Sequence, residues 1–206
     1  MTTNETQPAS WRRTAMWCGL ALLVSVGIGL LAGLLPARAR LLGLFGVGEG
    51  LLVGAALAEL VSRLRMARPR YLVPTSFVLG LATFALTTLI WWQSYSSYLL
   101  KEYPPPPVNL LALQIQAKSN SLSTAPDELR QGVDDILAAH EAELSARRSW
   151  IGYLVFRTAG IVSARDIAER QTSAWAKWLG ELAAAGIAAA VMAHRSTRRG
   201  RDSFVG

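Results

Sequence analysis

Residues 43–61 read GLFGVGEGLLVGAALAELV, an apolar run in which Gly46, Gly50, Gly54 and Ala58 recur at every fourth place. In a helix that spacing leaves one side almost bare of side chains. A bare stripe lets a second helix approach backbone to backbone, which is how helices associate where no water drives them together. Two carboxylates, Glu49 and Glu59, interrupt the run.

Working outward, the same character recurs in three more blocks. Thr14 to Leu35 carries Ser25, Gly29 and Gly33 at the four-residue spacing; Phe77 to Trp92 is shorter but extends apolar to Tyr71 and Tyr98; Trp175 to Ala193 carries Gly180, Ala184 and Ala188. About 20 apolar residues cross a bilayer core. Hydrophobic residues make up 51% of the 206, and they are gathered into these four blocks rather than spread. The fold expected is all-α: a polytopic membrane protein with four transmembrane helices, spans about 14–35, 41–64, 72–95 and 175–194, and a helical extracytoplasmic domain between the third and fourth.

The formal charge of +7 would suggest nucleic-acid binding in a soluble chain. Residues 101–177, however, hold nine Lys/Arg and nine Asp/Glu, so the long polar region is neutral. The excess lies in Arg12 and Arg13, in Arg63, Arg65, Arg68 and Arg70, and in Arg195, Arg198, Arg199 and Arg201. Each group abuts an apolar block, where basic residues hold loops on the cytoplasmic side. These ten face only Arg38 and Arg40 in the other short loop, so the expected threading is N-in and C-in, with no nucleic-acid partner. Residues 1–13 are then a disordered cytoplasmic tail, 100–174 the extracytoplasmic domain, and 195–206 a basic cytoplasmic tail suited to anionic headgroups. The alanine, leucine and arginine richness points to a bacterial inner membrane. Trp91/Trp92 and Trp175/Trp178 fall on the outer face in this threading, as interfacial aromatics do. The Ala37-Arg38-Ala39 pattern resembles a signal-peptide cleavage site, but the preceding apolar run is longer than a signal core and a second span follows at once.

Between the spans, Pro104 to Pro107 favour a stiff extended spacer. Residues 108–123 alternate in places like a strand, yet Asn109 can cap a short helix, and the helix is the reading adopted. Thr124 or Ser123 as cap, Pro126 in the first turn, then Asp127 and Glu128 mark a helix start. Leu129, Val133, Ile136, Leu137, His140 and Leu144 form its apolar stripe. Residues 150–162 (WIGYLVFRTAGIV) are read as a continuation of that helix ending at Gly160, because a single strand would have no partner. Ser163 followed by Asp166 reads as a capping box starting the helix that becomes the last span.

Chemistry has few candidates. His140-Glu141 lacks a second His at 144, so the zinc-protease pattern fails; Walker A, dinucleotide and G-x-S-x-G motifs are missing too. Cys18 is the single cysteine. No catalytic residue, metal ligand or cofactor is expected. Glu49 sits roughly 9–12 Å into its span at about 1.5 Å per residue, a costly depth for a charge, with insertion scales giving about +2.5 to +3.5 kcal/mol for Asp, Lys or Arg. It must be neutral or meet a cation or hydroxyl, and Thr87 or Thr88 can offer the latter. Glu59 is placed to pair with Arg63 and Glu181 with Lys177. The candidate site residues are thus helix-packing Gly29, Gly33, Gly46, Gly50, Gly54, Ala58, Gly180 and Ala184, and intramembrane polar Glu49, Glu59 and Glu181. They point to a non-enzymatic membrane protein, an accessory or scaffold subunit or homo-oligomer, whose partners are the bilayer and another membrane protein or itself. The alternative is a small proton- or ion-coupled transporter or channel using Glu49.

Overall fold

The computed structural model describes residues 8–35, 44–64, 66, 70–104, 106–107, 115, 126–160 and 163–202. Every regular element among them is a helix: α1 (Pro8–Gly33), α2 (Phe45–Arg63), α3 (Leu72–Glu102), α4 (Pro126–Arg148), α5 (Trp150–Ala159) and α6 (Ala164–Asp202). Within α1, α2, α3 and α6 lie four segments long and apolar enough to cross a membrane.

Local sequence explains the helix ends. α1 begins at Pro8, ahead of the start expected at residue 14, because proline is pre-set for a first helical turn and needs no amide donor there. The expected tail of 1–13 is therefore helical from residue 8. α3 runs on to Glu102 and stops before Pro104, since proline cannot continue a helix. α4 starts at Pro126, where the sequence places it. The continuous helix expected over 126–160 is instead two helices. Ser149 breaks it by accepting the Gly152 amide at 3.0 Å while donating to the Ala146 carbonyl at 2.6 Å. Gly152 permits that turn, as any side chain there would overlap the carbonyls of Ala146 and Arg147. Gly160, at φ 83°, ends α5 as expected and returns its amide to the Phe156 carbonyl at 2.8 Å. At the start of α6 the Asp166 carboxylate accepts from the Ser163 amide at 3.0 Å while Ser163 Oγ accepts from the Asp166 amide at 3.3 Å, which is the capping box. The readings for Ala37-Arg38-Ala39, for Ser123 and Thr124, and for 108–123 apart from Ile115, lie outside the described residues.

The chain divides into two compact units, 1–91 with 176–206, and 92–175. In the first, Trp17 and Ala21 of α1, Val53, Leu57 and Val61 of α2, Leu72 of α3, and Ala189 and Ala193 of α6 form one buried cluster, so four helices share a core. In the second, Tyr95, Leu99, Val133, Tyr153, Leu154, Val155, Ile167 and Ala174 are buried. Tyr95 stacks on Phe156 with ring centroids 4.5 Å apart, and Trp92 meets Trp150 edge-on at 5.7 Å. Arg147 lies 5.0 Å over the Tyr103 ring and pairs with Glu143. Burial opposes the Arg147 charge, but the Glu143 carboxylate and Tyr103 hydroxyl outweigh it, and its pKa is raised.

Trp91 and Trp92 are both held by carbonyls. Trp91 is fully buried, donates from its indole nitrogen to the Gly33 carbonyl at 3.1 Å and packs on Phe45; Trp92 donates to the Arg148 carbonyl at 2.9 Å. A buried indole keeps its donor satisfied in this way.

Candidate helix-packing site

The glycine stripe of α2 is closed by α6. A Cβ added at Gly46 would come 3.0 Å from the Glu181 carbonyl oxygen; at Gly50 and Gly54 it would overlap the carbonyls of Ala185 and Ala189. Pairing 46 with 181, 50 with 185 and 54 with 189, both numbers climb together, so α2 and α6 run parallel with their backbones in contact. Ala58 is buried one turn further along. Gly80 of α3 joins the seam, its hypothetical Cβ 2.8 Å from the Ala189 Cβ.

On α6 the face in use differs from the one expected. Gly180 is exposed with nothing within 4 Å of a Cβ, and Ala184 is only half-buried, whereas Ala185 and Ala189 are fully buried. The physical reason is composition. Alanines occupy 183–185 and 188–190, so several faces are equally small, and only the register set by the α2 glycines selects 181, 185, 189.

α1 and α3 meet through a different device. The Thr83 hydroxyl lies 3.4 Å from the Ser25 carbonyl, the Thr87 hydroxyl 3.1 Å from the Gly29 carbonyl, and the Trp91 indole nitrogen 3.1 Å from the Gly33 carbonyl. Here too the numbers rise together, 25, 29, 33 against 83, 87, 91, and the helices are parallel. A Cβ at Gly29 would sit 3.3 Å from the Thr83 carbonyl oxygen, and one at Gly33 would press on Ile90 at 2.8 Å. Small residues on α1 thus let side chains of α3 reach its carbonyls. Thr83, Thr87 and Trp91 were not singled out as a set by sequence reasoning, although their four-residue spacing mirrors 25, 29 and 33.

Glu49 ties this ladder to α2. It is 4% exposed, and its Oε1 lies 2.6 Å from the Thr87 hydroxyl oxygen. Thr87 therefore touches α1 and α2 at once. Phe45 packing on Trp91, one turn before Glu49 on Thr87, shows α2 antiparallel to α3. So α1 and α3 point one way, α2 and α6 the other.

The other two carboxylates are elsewhere. Glu59 is exposed and receives the Arg63 guanidinium at 2.9 Å, as its spacing predicts. Glu181 offers its carbonyl to the Gly46 contact, and its side chain is half-buried. Among the described residues no three His, Cys, Asp or Glu side chains converge as a metal site would need. No family model, curated protein or solved structure matches the chain.

Proposed function

We propose that the chain is a four-span integral membrane protein that works through contacts, as an accessory or scaffolding subunit or a homo-oligomer, without catalysis or cofactor. The observation that carries the membrane reading is an apolar exterior. In the four-helix unit Ser25, Ser76, Thr83, Thr87, Thr88 and Glu49 are buried beside Trp17, Phe84, Trp91, Leu57 and Leu72, while Leu22, Leu23, Leu31, Leu52, Val78 and Ile187 are 55–69% exposed. Large apolar side chains left exposed on all four helices of one unit are what hydrocarbon, and not water, accommodates.

The threading proposed is N-in and C-in in a bacterial inner membrane, with residues 100–174 extracytoplasmic. The exposed Arg12, Arg13, Arg63, Arg70 and Arg195 support it, because the start of α1 and the ends of α2 and α6 share one end of a bundle with these helix directions. Association is supported by glycines that no neighbour covers, Gly19, Gly27, Gly48 and Gly180, which leave bare patches for another helix. Gentle solubilisation followed by native mass measurement is the test. A protein that is strictly monomeric, with no co-purifying polypeptide, would overturn the association reading. The transporter alternative predicts flux in reconstituted vesicles that Glu49→Gln abolishes. The contact between Glu49 and Thr87 favours packing as the role of this carboxylate.

A further inference from the structure

The starts of α1 and α3 are joined by one tyrosine. Tyr71, just before α3, donates from its hydroxyl to Thr14 Oγ1 of α1 at 3.1 Å. Its ring lies 5.6 Å from that of Trp17, which is fully buried in the four-helix core. Cations flank this contact on both chains. Arg12 and Arg13 precede Thr14, and Arg70 precedes Tyr71. Consecutive Cα atoms are about 3.8 Å apart, so three arginines are carried within two residues of a single hydrogen bond.

All three are exposed. Among the described residues none of them has a carboxylate partner, and Glu59, at the same end of the bundle, is taken by Arg63. Cations gathered without a counter-charge repel one another, so the contact that gathers them is favoured by an anion among them. Arginine alone supplies the charge here, for no lysine occurs in residues 1–100 or 178–206. The guanidinium fork takes two phosphate oxygens at once, which an ammonium does not. Further along the same two helices, Met16, Leu22 and Leu23 of α1 and Val78 of α3 are exposed. An anion that carries acyl chains suits both the cations and this apolar flank, whereas a free anion suits only the first.

We infer that Arg12, Arg13 and Arg70, brought together by the Tyr71–Thr14 contact, form a site for the phosphodiester headgroup of an anionic phospholipid whose chains lie along α1 and α3. The inference rests on the membrane reading and goes beyond it in naming a lipid class and the residues that hold it.

Native mass spectrometry of the full-length protein in detergent tests it, with phosphatidylglycerol as the probe and phosphatidylcholine as the comparison. One phosphatidylglycerol should be retained in preference to phosphatidylcholine. Arg12→Lys, Arg13→Lys and Arg70→Lys together keep every charge, and the threading with it, but lose the forks, and should weaken retention several-fold. Changing the same three to Gln should weaken it roughly a hundredfold, about fivefold for each basic residue at a membrane surface. Arg195→Gln, Arg198→Gln and Arg199→Gln together remove as many charges from the tail and should alter retention less than about threefold, since charges beyond a screening length of about 8 Å contribute little. Equal retention of the two lipids would overturn the inference. So would a Lys variant that holds the lipid as wild type does, a tail variant that loses as much as the Gln variant, or displacement of the lipid by inorganic phosphate. Failure of the membrane reading would show separately, as release of the protein from membranes by alkaline carbonate without detergent.

Discussion

The α2–α6 seam and the α1–α3 ladder solve one problem in opposite ways. Both join parallel helices at a four-residue repeat, and both depend on small residues in one partner. In the seam the partner brings its backbone with the Cβ atoms of Ala189 and Met192, so attraction is dispersion between closely set chains, strong only if the fit is kept. In the ladder, threonine and tryptophan reach across to carbonyls, so attraction is local to each rung. Fit fails all at once; rungs fail one at a time. The two contacts should therefore respond to substitution with different size and different locality.

The largest effect is expected at the seam. Gly50→Leu must displace the Ala185 backbone, which has no flexible end to yield. Overpacking costs typically 1–3 kcal/mol and occasionally more, and a backbone neighbour places this case at about 3 kcal/mol or above. Gly48→Leu, on the same helix with open space beside it, should change stability by less than about 0.5 kcal/mol. Denaturing-detergent titrations of the two variants would check the pair; equal losses would mean that the close approach at Gly50 is not what sets the cost.

Next comes Thr87→Val, which removes one rung and also the hydroxyl that Glu49 uses. Leaving a buried polar group unsatisfied costs about 1–3 kcal/mol. Adding Glu49→Met to that variant should restore most of the loss, because replacing both partners by apolar groups can be nearly neutral. The same unfolding titration reads the recovery, and strictly additive losses would count against the Glu49–Thr87 contact.

These cases also show how far sequence carries. The stripe at 46, 50, 54 and 58 was legible because glycine is rare enough in an apolar run for its period to stand out, and helix identity followed from four long apolar blocks. The facing stripe on α6 was not legible. In a segment rich in alanine every face is small, and the register came from α2, a relation between distant residues. The break at Ser149 was hidden for a related reason: serine is acceptable inside a helix, and only the pairing of its hydroxyl with Gly152 and Ala146 turns it into a cap. For Trp91 nothing in the sequence marks the particular carbonyl it meets one helix away.

Trp91→Phe sharpens the comparison further down the scale. The ring volume that packs on Phe45 is largely kept while the indole donor to Gly33 is lost, so about 1 kcal/mol is expected, the usual net worth of one hydrogen bond. Thermal unfolding of the purified variant would check it. A loss as large as that of Gly50→Leu would show that packing volume dominates the end of the ladder.

The smallest effect should come from Thr83→Val. Its hydroxyl is 2.7 Å from the Leu79 carbonyl of its own helix and 3.4 Å from Ser25 across the gap. The short bond is made within α3 and holds no other helix, and the long one is outside the usual 2.5–3.0 Å range for a hydroxyl donor. Valine fills nearly the same volume, and Leu79 keeps its backbone partner in α3. The loss should be about 0.6 kcal/mol or less, the mean for hydrogen bonds between membrane helices. If Thr83→Val instead matched Thr87→Val in unfolding titrations, the rungs would be equivalent. The special cost assigned to position 87 would then have to come from the ladder as a whole and not from its junction with Glu49.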